Sequence, residues 1–307
     1  NMGISQYIKE IGRGPRGSKP LTREQAADLF GQLLDGNVTD LEIGAFCLAM
    51  RIKGETPEEM CGFLDAAHSR MALFPASDRP VIVLPSYNGA RKLPVLTPLL
   101  ALLLAREGLP VLLHGMRTEA RRTLASDVLL ALGVPALTAP EKIATGSVAH
   151  IETGYLHAAL ARLLKVREVV GLRNAGHSIV KLMNPCAGPA VVVTSYTHPE
   201  YYDMLQATFG ALHMTALLSR GLEGEVATDP RRTPRYDAFV AGVHQLLQEQ
   251  QPGTAADVPG LPTEIDIDTT ARYTQDVLDG RLPVPPALAQ QVEHILHLAA
   301  QTPPHAP

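Results

Sequence analysis

The chain has no tryptophan, and aromatics make up only 5% of its 307 residues, so no extended base-stacking platform is written into it. Cysteine is also scarce. Cys47, Cys61 and Cys186 are scattered and form no C-x-x-C pair, which argues against a zinc ribbon or a redox couple. Buried free thiols in a reducing cytoplasm are expected instead. Long hydrophobic runs are missing too. The longest, Leu99 to Ala105, falls far short of a bilayer span, so no membrane association is expected. The polar, basic start (Lys9, Arg13, Arg16, Lys19) predicts no secretory leader. Acidic residues are thin in the middle of the chain. Arg79 to Lys181 carries 13 Lys/Arg against 6 Asp/Glu, a net of +7. The remainder carries 14 against 25, a net of −11, and the two sum to −4. Such asymmetry fits a polyanion-binding face, and equally fits charges spread over several solvated faces.

What is present begins with helix punctuation. Thr22-x-x-Gln25, Thr39-x-x-Glu42 and Thr56-Pro57-x-Glu59 each read as a capping box. Gly36 and Gly54 are the stops for two of these helices. The first 75 or so residues therefore form a small helical unit with apolar faces in need of partners.

From about residue 80 the pattern changes. The apolar runs Val81–Leu84, Pro110–Leu113, Glu168–Gly171 and Ala190–Ser195 read as strands alternating with helices. That alternation predicts an α/β unit with a mainly parallel central sheet. Helices are expected over 125–133 and 152–165 and after His198. Residues 172–187 read as a loop, 228–235 as a polar Pro/Arg loop, 250–262 as a linker and 302–307 as a disordered end.

One stretch carries the chemical question. "VIVLPSYNGARK" followed by a Leu-rich helix is the strand–turn–helix frame of a phosphate loop. Its turn has a single glycine, no acid, and the cations Arg91 and Lys92.

Three ordered blocks carry a resemblance: "HGMRTEARRTLASDVLLALG" from His114, "GLRNAGHSIVKLMNP" from Gly171 and "SRGLEGEVA" from Ser219. They resemble the anthranilate phosphoribosyltransferase family of TrpD-like, glycosyltransferase family 3 fold. The resemblance implies a homodimer with a small all-helical domain (1–76 plus approximately 143–187) and a large α/β domain (77–142 plus 188–307). It also implies a degenerate substrate loop at Ser86, Asn88, Gly89, His114 and Gly115. The family's Gly-rich loop reads "PSYNGA" here, and Met116 stands where an amide contacts substrate. The acid pair that binds magnesium aligns with Val226 and Ala227. An apolar pair cannot ligate that cation.

"PSYNGARK" further resembles a bacterial YbiB-type subgroup, which implies nucleic-acid binding without clear sequence preference. On that reading there is no catalytic residue, no metal and no cofactor, and the partner is DNA or RNA, single-stranded or non-specific. The expected ligands are Arg91, Lys92, Arg117, Arg121, Arg122, Arg173 and Lys181, whose charges suit phosphate. Tyr87 is offered for stacking on a base, against a packed turn tyrosine.

Two rivals stay open. One is a transferase with altered substrate, using Arg173, with Glu223 or Glu225 on magnesium. The other is a dimeric scaffold with no ligand. Arg220, Arg231, Arg232 and Arg235 read as a solvated loop, and Arg13, Arg16 and Lys19 as an arm or a solvated terminus. His114 and His177 read as hydrogen-bonded loop residues, His294 and His297 as a surface helix face, and Asp127 as a helix cap.

Overall fold

The computed structural model describes residues 3–255 and 257–303. Four helices come first: α1 Ser5–Ile11, α2 Arg23–Leu34, α3 Asp40–Lys53 and α4 Pro57–His68. All three capping boxes are formed, with the Thr hydroxyl on the N3 amide and the N3 side chain on the Thr amide. Gly54 caps α3 at φ +80°. Pro57 starts α4, where no N–H is needed.

The sheet follows. Strand β1 Val81–Pro85 leads to α5 Thr97–Arg106, β2 Val111–Gly115, α6 Ala125–Ala131, β3 Ala136–Leu137 and β4 Val148–Glu152. Helices α7 Thr153–Leu156, α8 Ala158–Val170 and α9 Ala175–Leu182 intervene. Then come β5 Ala190–Ser195, α10 Tyr202–Ala211, β6 Ala216–Ser219, β7 Tyr236–Val240, β8 Val243–Gln248, α11 Ile267–Leu278 and α12 Pro286–Gln301. The strand order is β3-β4-β2-β1-β5-β6-β7-β8. It is parallel as far as β6, and β7 and β8 close one edge antiparallel.

Both faces of the sheet are covered, which is why β1 is apolar at every position. Side chains alternate faces along a strand. Val81 and Val83 join the core shared with the helical unit, while Ile82 and Leu84 join the core beneath α5, α11 and α12. The parallel strands β1, β2, β5 and β6 all end at one edge, and the crevice there is where α/β sheets bind ligands.

Three expectations are corrected. Glu168–Gly171 is not a strand but the last turn of α8, with Val169 89% exposed and Gly171 left-handed at the cap. Within the expected 172–187 loop, residues 175–182 form α9, capped by Asn174. The helical insertion begins at Thr153 rather than near residue 143, because residues 148–152 are a sheet strand paired with β2. The expected linker over 250–262 contains no helix or strand among its described residues. Of the expected disordered end, residues 304–307 lie outside the described residues. Among the described residues no helix is long and apolar enough to cross a membrane. All three cysteines are free and buried.

Candidate functional site

Four loops meet at the carboxyl ends of the parallel strands: 85–93 after β1, 116–124 after β2, 171–174 before α9, and 220–227 after β6. An isolated antiparallel bridge, Ala90 to Thr123, joins the first two. Two glycines are required for this approach. A Cβ on Gly89, which sits at φ +70°, would lie 2.5 Å from the Thr123 carbonyl oxygen, and one on Gly115 would lie 1.8 Å from that of Ser86. The bridge sets Arg91 and Lys92 beside Arg121 and Arg122. Asn88 Oδ1 accepts from Arg173 Nη2 at 2.9 Å, drawing in the third loop.

The phosphate-loop frame is filled from within. The buried Glu225 carboxylate takes Ser86 Oγ–H at 2.6 Å and Thr97 Oγ1–H at 2.7 Å on one oxygen. Its other oxygen takes the Asn88 and Gly89 backbone N–H groups at 3.1 and 2.9 Å. Thr97 is the first residue of α5, so the carboxylate also lies at a helix N-terminus, where negative charge is favoured. Glu223 grips the same turn from outside, accepting from the amides of Lys92 and Leu93. The loop bearing both acids is bent hard to reach. Glu223 sits at φ +54°, and a Cβ on Gly224 would meet Asn88 Nδ2 at 2.5 Å. This is the interaction that sequence reasoning missed, because it offered either glutamate only as a magnesium ligand of the rival transferase reading.

These carboxylates do not fit magnesium. Each Glu225 oxygen is committed to two donors, Glu223 is held by amides, and Val226 and Ala227 are buried in the apolar core. Among the described residues no cluster of three or more His, Cys, Asp or Glu could hold a metal ion.

The predicted cations divide into free and committed. Arg91 is exposed and lies 3.7 Å from Glu223 Oε2. Lys92 and Arg121 are exposed, with no side-chain ion pair. Arg117 pairs with Asp127 at 2.8 Å, which gives Asp127 an ion-pair role in place of the expected cap. Arg122 and Arg173 share Glu119 with Arg167, at 2.6, 3.5 and 2.7 Å. Burial raises the Glu119 pKa, but the Arg167 hydrogen bond and the three positive charges outweigh it and hold the carboxyl below its usual range. Three guanidinium groups on one carboxylate still leave positive charge in excess.

Tyr87 is not a free stacking surface. It is 3% exposed, donates to the His177 carbonyl, packs edge-on to the His177 ring, and lies near the cations of Arg173 and Lys181. Burial pushes its hydroxyl up to about 12. His114 is fully buried on β2 with no partner for either ring nitrogen, and burial lowers its pKa to about 4. It is therefore a neutral core histidine rather than the hydrogen-bonded loop residue expected. His177 belongs to the α9 capping box. Lys181 donates to the Gly224 carbonyl at 3.1 Å, and burial pulls its pKa down to about 8.

The remaining candidates sit apart. Arg231 and Arg232 pair with Asp229, and Arg235 with Asp237. Arg220 donates to the Thr197 carbonyl, and Arg13 pairs with Glu10. His294 and His297 hydrogen-bond Gln248 and Gln301.

A cleft of about 270 Å³ opens beside the four loops, between the helical unit and the sheet. It is lined by Arg51, Arg173, Lys181 and His177, together with Tyr196 and Tyr201. Those two tyrosines and Arg51 were not anticipated from sequence. They come from two segments far apart in the chain, α3 and the stretch between β5 and α10, and nothing in the local pattern links the two.

Residues 5–71 match the glycosyl transferase family, helical bundle domain. The chain is 37% identical over 298 residues to "Uncharacterized protein YbiB" of Escherichia coli K12, covering 95% of this chain and 92% of that one. It is 28% identical over 295 residues to anthranilate phosphoribosyltransferase of Persephonella marina, covering 91% and 83% of the two chains. The crystal structure of anthranilate phosphoribosyltransferase from Thermus thermophilus superposes with a TM-score of 0.72 at 22% identity, over 96% of this chain and 87% of that one. The chain belongs to the YbiB family, built on the TrpD-like glycosyltransferase family 3 fold.

Proposed function

We propose that the protein binds nucleic acid through its backbone phosphates, with little sequence preference, and that it does not transfer phosphoribosyl groups. The observation that carries this reading is the self-filled phosphate turn. Glu225 occupies the donors that would otherwise hold a pyrophosphate, while the cations on the rim of the same turn stay in solvent. A ligand here meets positive charge only from outside. Arg91, Lys92 and Arg121 supply it, with the surplus around Glu119 behind them. Exposed, rim-mounted cations suit a polyanion that slides along a surface. An exposed apolar stripe on α3 supports a homodimer as the working unit. Three buried thiols suit a reducing compartment such as the cytoplasm.

The test is fluorescence-anisotropy titration of labelled single-stranded and duplex oligonucleotides across a salt series. The parent is compared with the Arg91→Ala/Lys92→Ala/Arg121→Ala variant. Binding is expected to fall steeply with salt. On a single strand the log–log slope is expected to flatten by about 0.7 for each phosphate that the variant no longer neutralises. Affinity and slope left unchanged by the triple substitution would remove the rim from the interface. Pyrophosphate release from phosphoribosyl pyrophosphate with magnesium and an aromatic amine would overturn the non-catalytic half.

A further inference from the structure

We infer that the cleft between the helical unit and the sheet takes one nucleotide unit, a phosphate with its unpaired base, so that the rim holds the strand and the cleft holds a single splayed residue of it. This rests on the nucleic-acid reading above.

The polar end of the cleft has donors to spare. His177 Nδ1 accepts the Asn174 N–H, so the hydrogen of the neutral ring is on Nε2. That nitrogen is buried and has no partner. A buried N–H without an acceptor costs about 1–3 kcal/mol, and a bound oxyanion would satisfy it. Lys181 spends its hydrogen bonds on the Gly224 carbonyl at 3.1 Å and, weakly, Ser195 Oγ at 3.5 Å, leaving a third N–H of the ammonium unassigned. Arg51 and Arg173 stand on the same lining, and Arg51 Nη1 donates to the Arg173 carbonyl. Three cations and a free donor face a single acid, Glu55, whose carboxyl burial pushes upward. The polar end therefore suits an anion.

The rest of the lining, from β5 to α10, carries aromatic and apolar side chains beside Ser195, Thr197 and His198. Tyr201 is 45% exposed and lies 6.1 Å from the His198 ring, and Tyr196 lines the wall beside it. Leu205 and Met204 floor that part. A planar ring fits it, and base–aromatic stacking tolerates any base. The volume, about 270 Å³, lies just below the usual range of small-ligand pockets. It holds one nucleotide-sized group and excludes a duplex, so the base must be unpaired. Arg173 ties this cleft to the rim, since it lines the cleft and also bonds Asn88 on the turn that bears Arg91 and Lys92.

Two substitutions test the cleft without touching the rim. Tyr201→Ala removes an exposed ring, and Ser178→Trp fills the cleft from α9. The probes are short oligothymidylate, a blunt duplex and free adenosine monophosphate. The expected result is that each variant loses about 5- to 150-fold in single-strand affinity, the value of one stacked base. Duplex affinity and the salt slope should stay at parent values. Adenosine monophosphate that raises the parent's melting temperature, but not that of either variant, would support the same cleft chemistry. If it does so while strand binding ignores both substitutions, the occupant is the free nucleotide and the strand assignment is overturned. Strand binding and nucleotide binding both indifferent to the two substitutions would overturn the cleft and leave the rim standing. A parent that binds no strand at low salt would sink the rim reading. The cleft is then decided by adenosine monophosphate alone, with no shift counting against it.

Discussion

At the scale of single residues, the informative change is an acid that replaces a ligand. A strand–turn–helix frame collects N–H and O–H donors at one point, and such a point needs an anion. The sequence shows that the turn has a single glycine, and the family resemblance implies that Val226 and Ala227 stand at the place of a magnesium-binding acid pair. It does not show that Glu225, 137 residues beyond Asn88, turns inward to fill the frame. Long-range pairing of this kind leaves no local pattern. The prediction is direct. Glu225→Ala strands four donors and is expected to destabilise the fold by about 3 kcal/mol in urea denaturation. Inorganic phosphate or sulfate should then raise the variant's melting temperature by more than the parent's, because the variant adds an open turn to whatever anion sites the parent already has. A variant as stable as the parent, or one that gains no more than the parent from either anion, would mean that Glu225 is not the resident anion.

Secondary-structure elements were legible where their ends are chemically marked. The capping boxes at Thr22, Thr39 and Thr56 pair residues only three apart, so the sequence holds the whole device. The end of α8 was not legible. Glu168-Val169-Val170-Gly171 is rich in β-branched residues and ends in glycine, which mimics a short buried strand. Its Val169 is exposed, and the helix continues because Leu160, Leu163 and Leu164 on its other face are buried.

Helix α9 was hidden for a related reason. Its N3 residue is His177, not Glu or Gln, and Nδ1 of that ring takes the Asn174 amide. This cap makes α9 sensitive to pH. Burial and the charges of Arg173 and Arg167 lower the His177 pKa to about 3, against an ordinary value of 6.5. Between those values the unfolded chain binds a proton that the folded chain refuses. Stability is therefore complete above pH 6.5 and falls as pH drops toward 3, by about 1.4 kcal/mol per pH unit for this one group. Replacing His177 with Gln keeps an acceptor at N3 and should flatten that part of the curve. Equal slopes for the two proteins in denaturant titrations at stepped pH would remove His177 as the cause.

At the scale of the whole molecule, the sequence resemblance predicted two domains and a parallel sheet, and the structure has both a helical unit and a mainly parallel α/β unit. The charge asymmetry also has a spatial meaning, since the middle of the chain supplies three of the four loops that converge at the strand ends. What the chain does with its exposed apolar side chains is a question of assembly. Leu41, Leu48 and Ile52 are 85%, 45% and 68% exposed on α3, at spacings of seven and four that place them on one helical face. Leu172 is also exposed, in the loop whose Arg173 carbonyl is held by Arg51 of the same helix. An exposed patch of this kind is a candidate interface between two copies of the chain. Two copies joined there would present two rims to one strand, and the second rim would then engage at high effective concentration. The Leu48→Glu/Ile52→Glu variant is expected to sediment as a monomer at concentrations where the parent is a dimer. A long single strand, able to reach both rims, should lose roughly 10- to 100-fold in affinity for this variant, a conservative share of the gain that linkage can give. A strand too short to reach the second rim should bind both proteins alike. If the parent sediments as a monomer, or if short and long strands lose affinity equally, the stripe does not join two nucleic-acid rims.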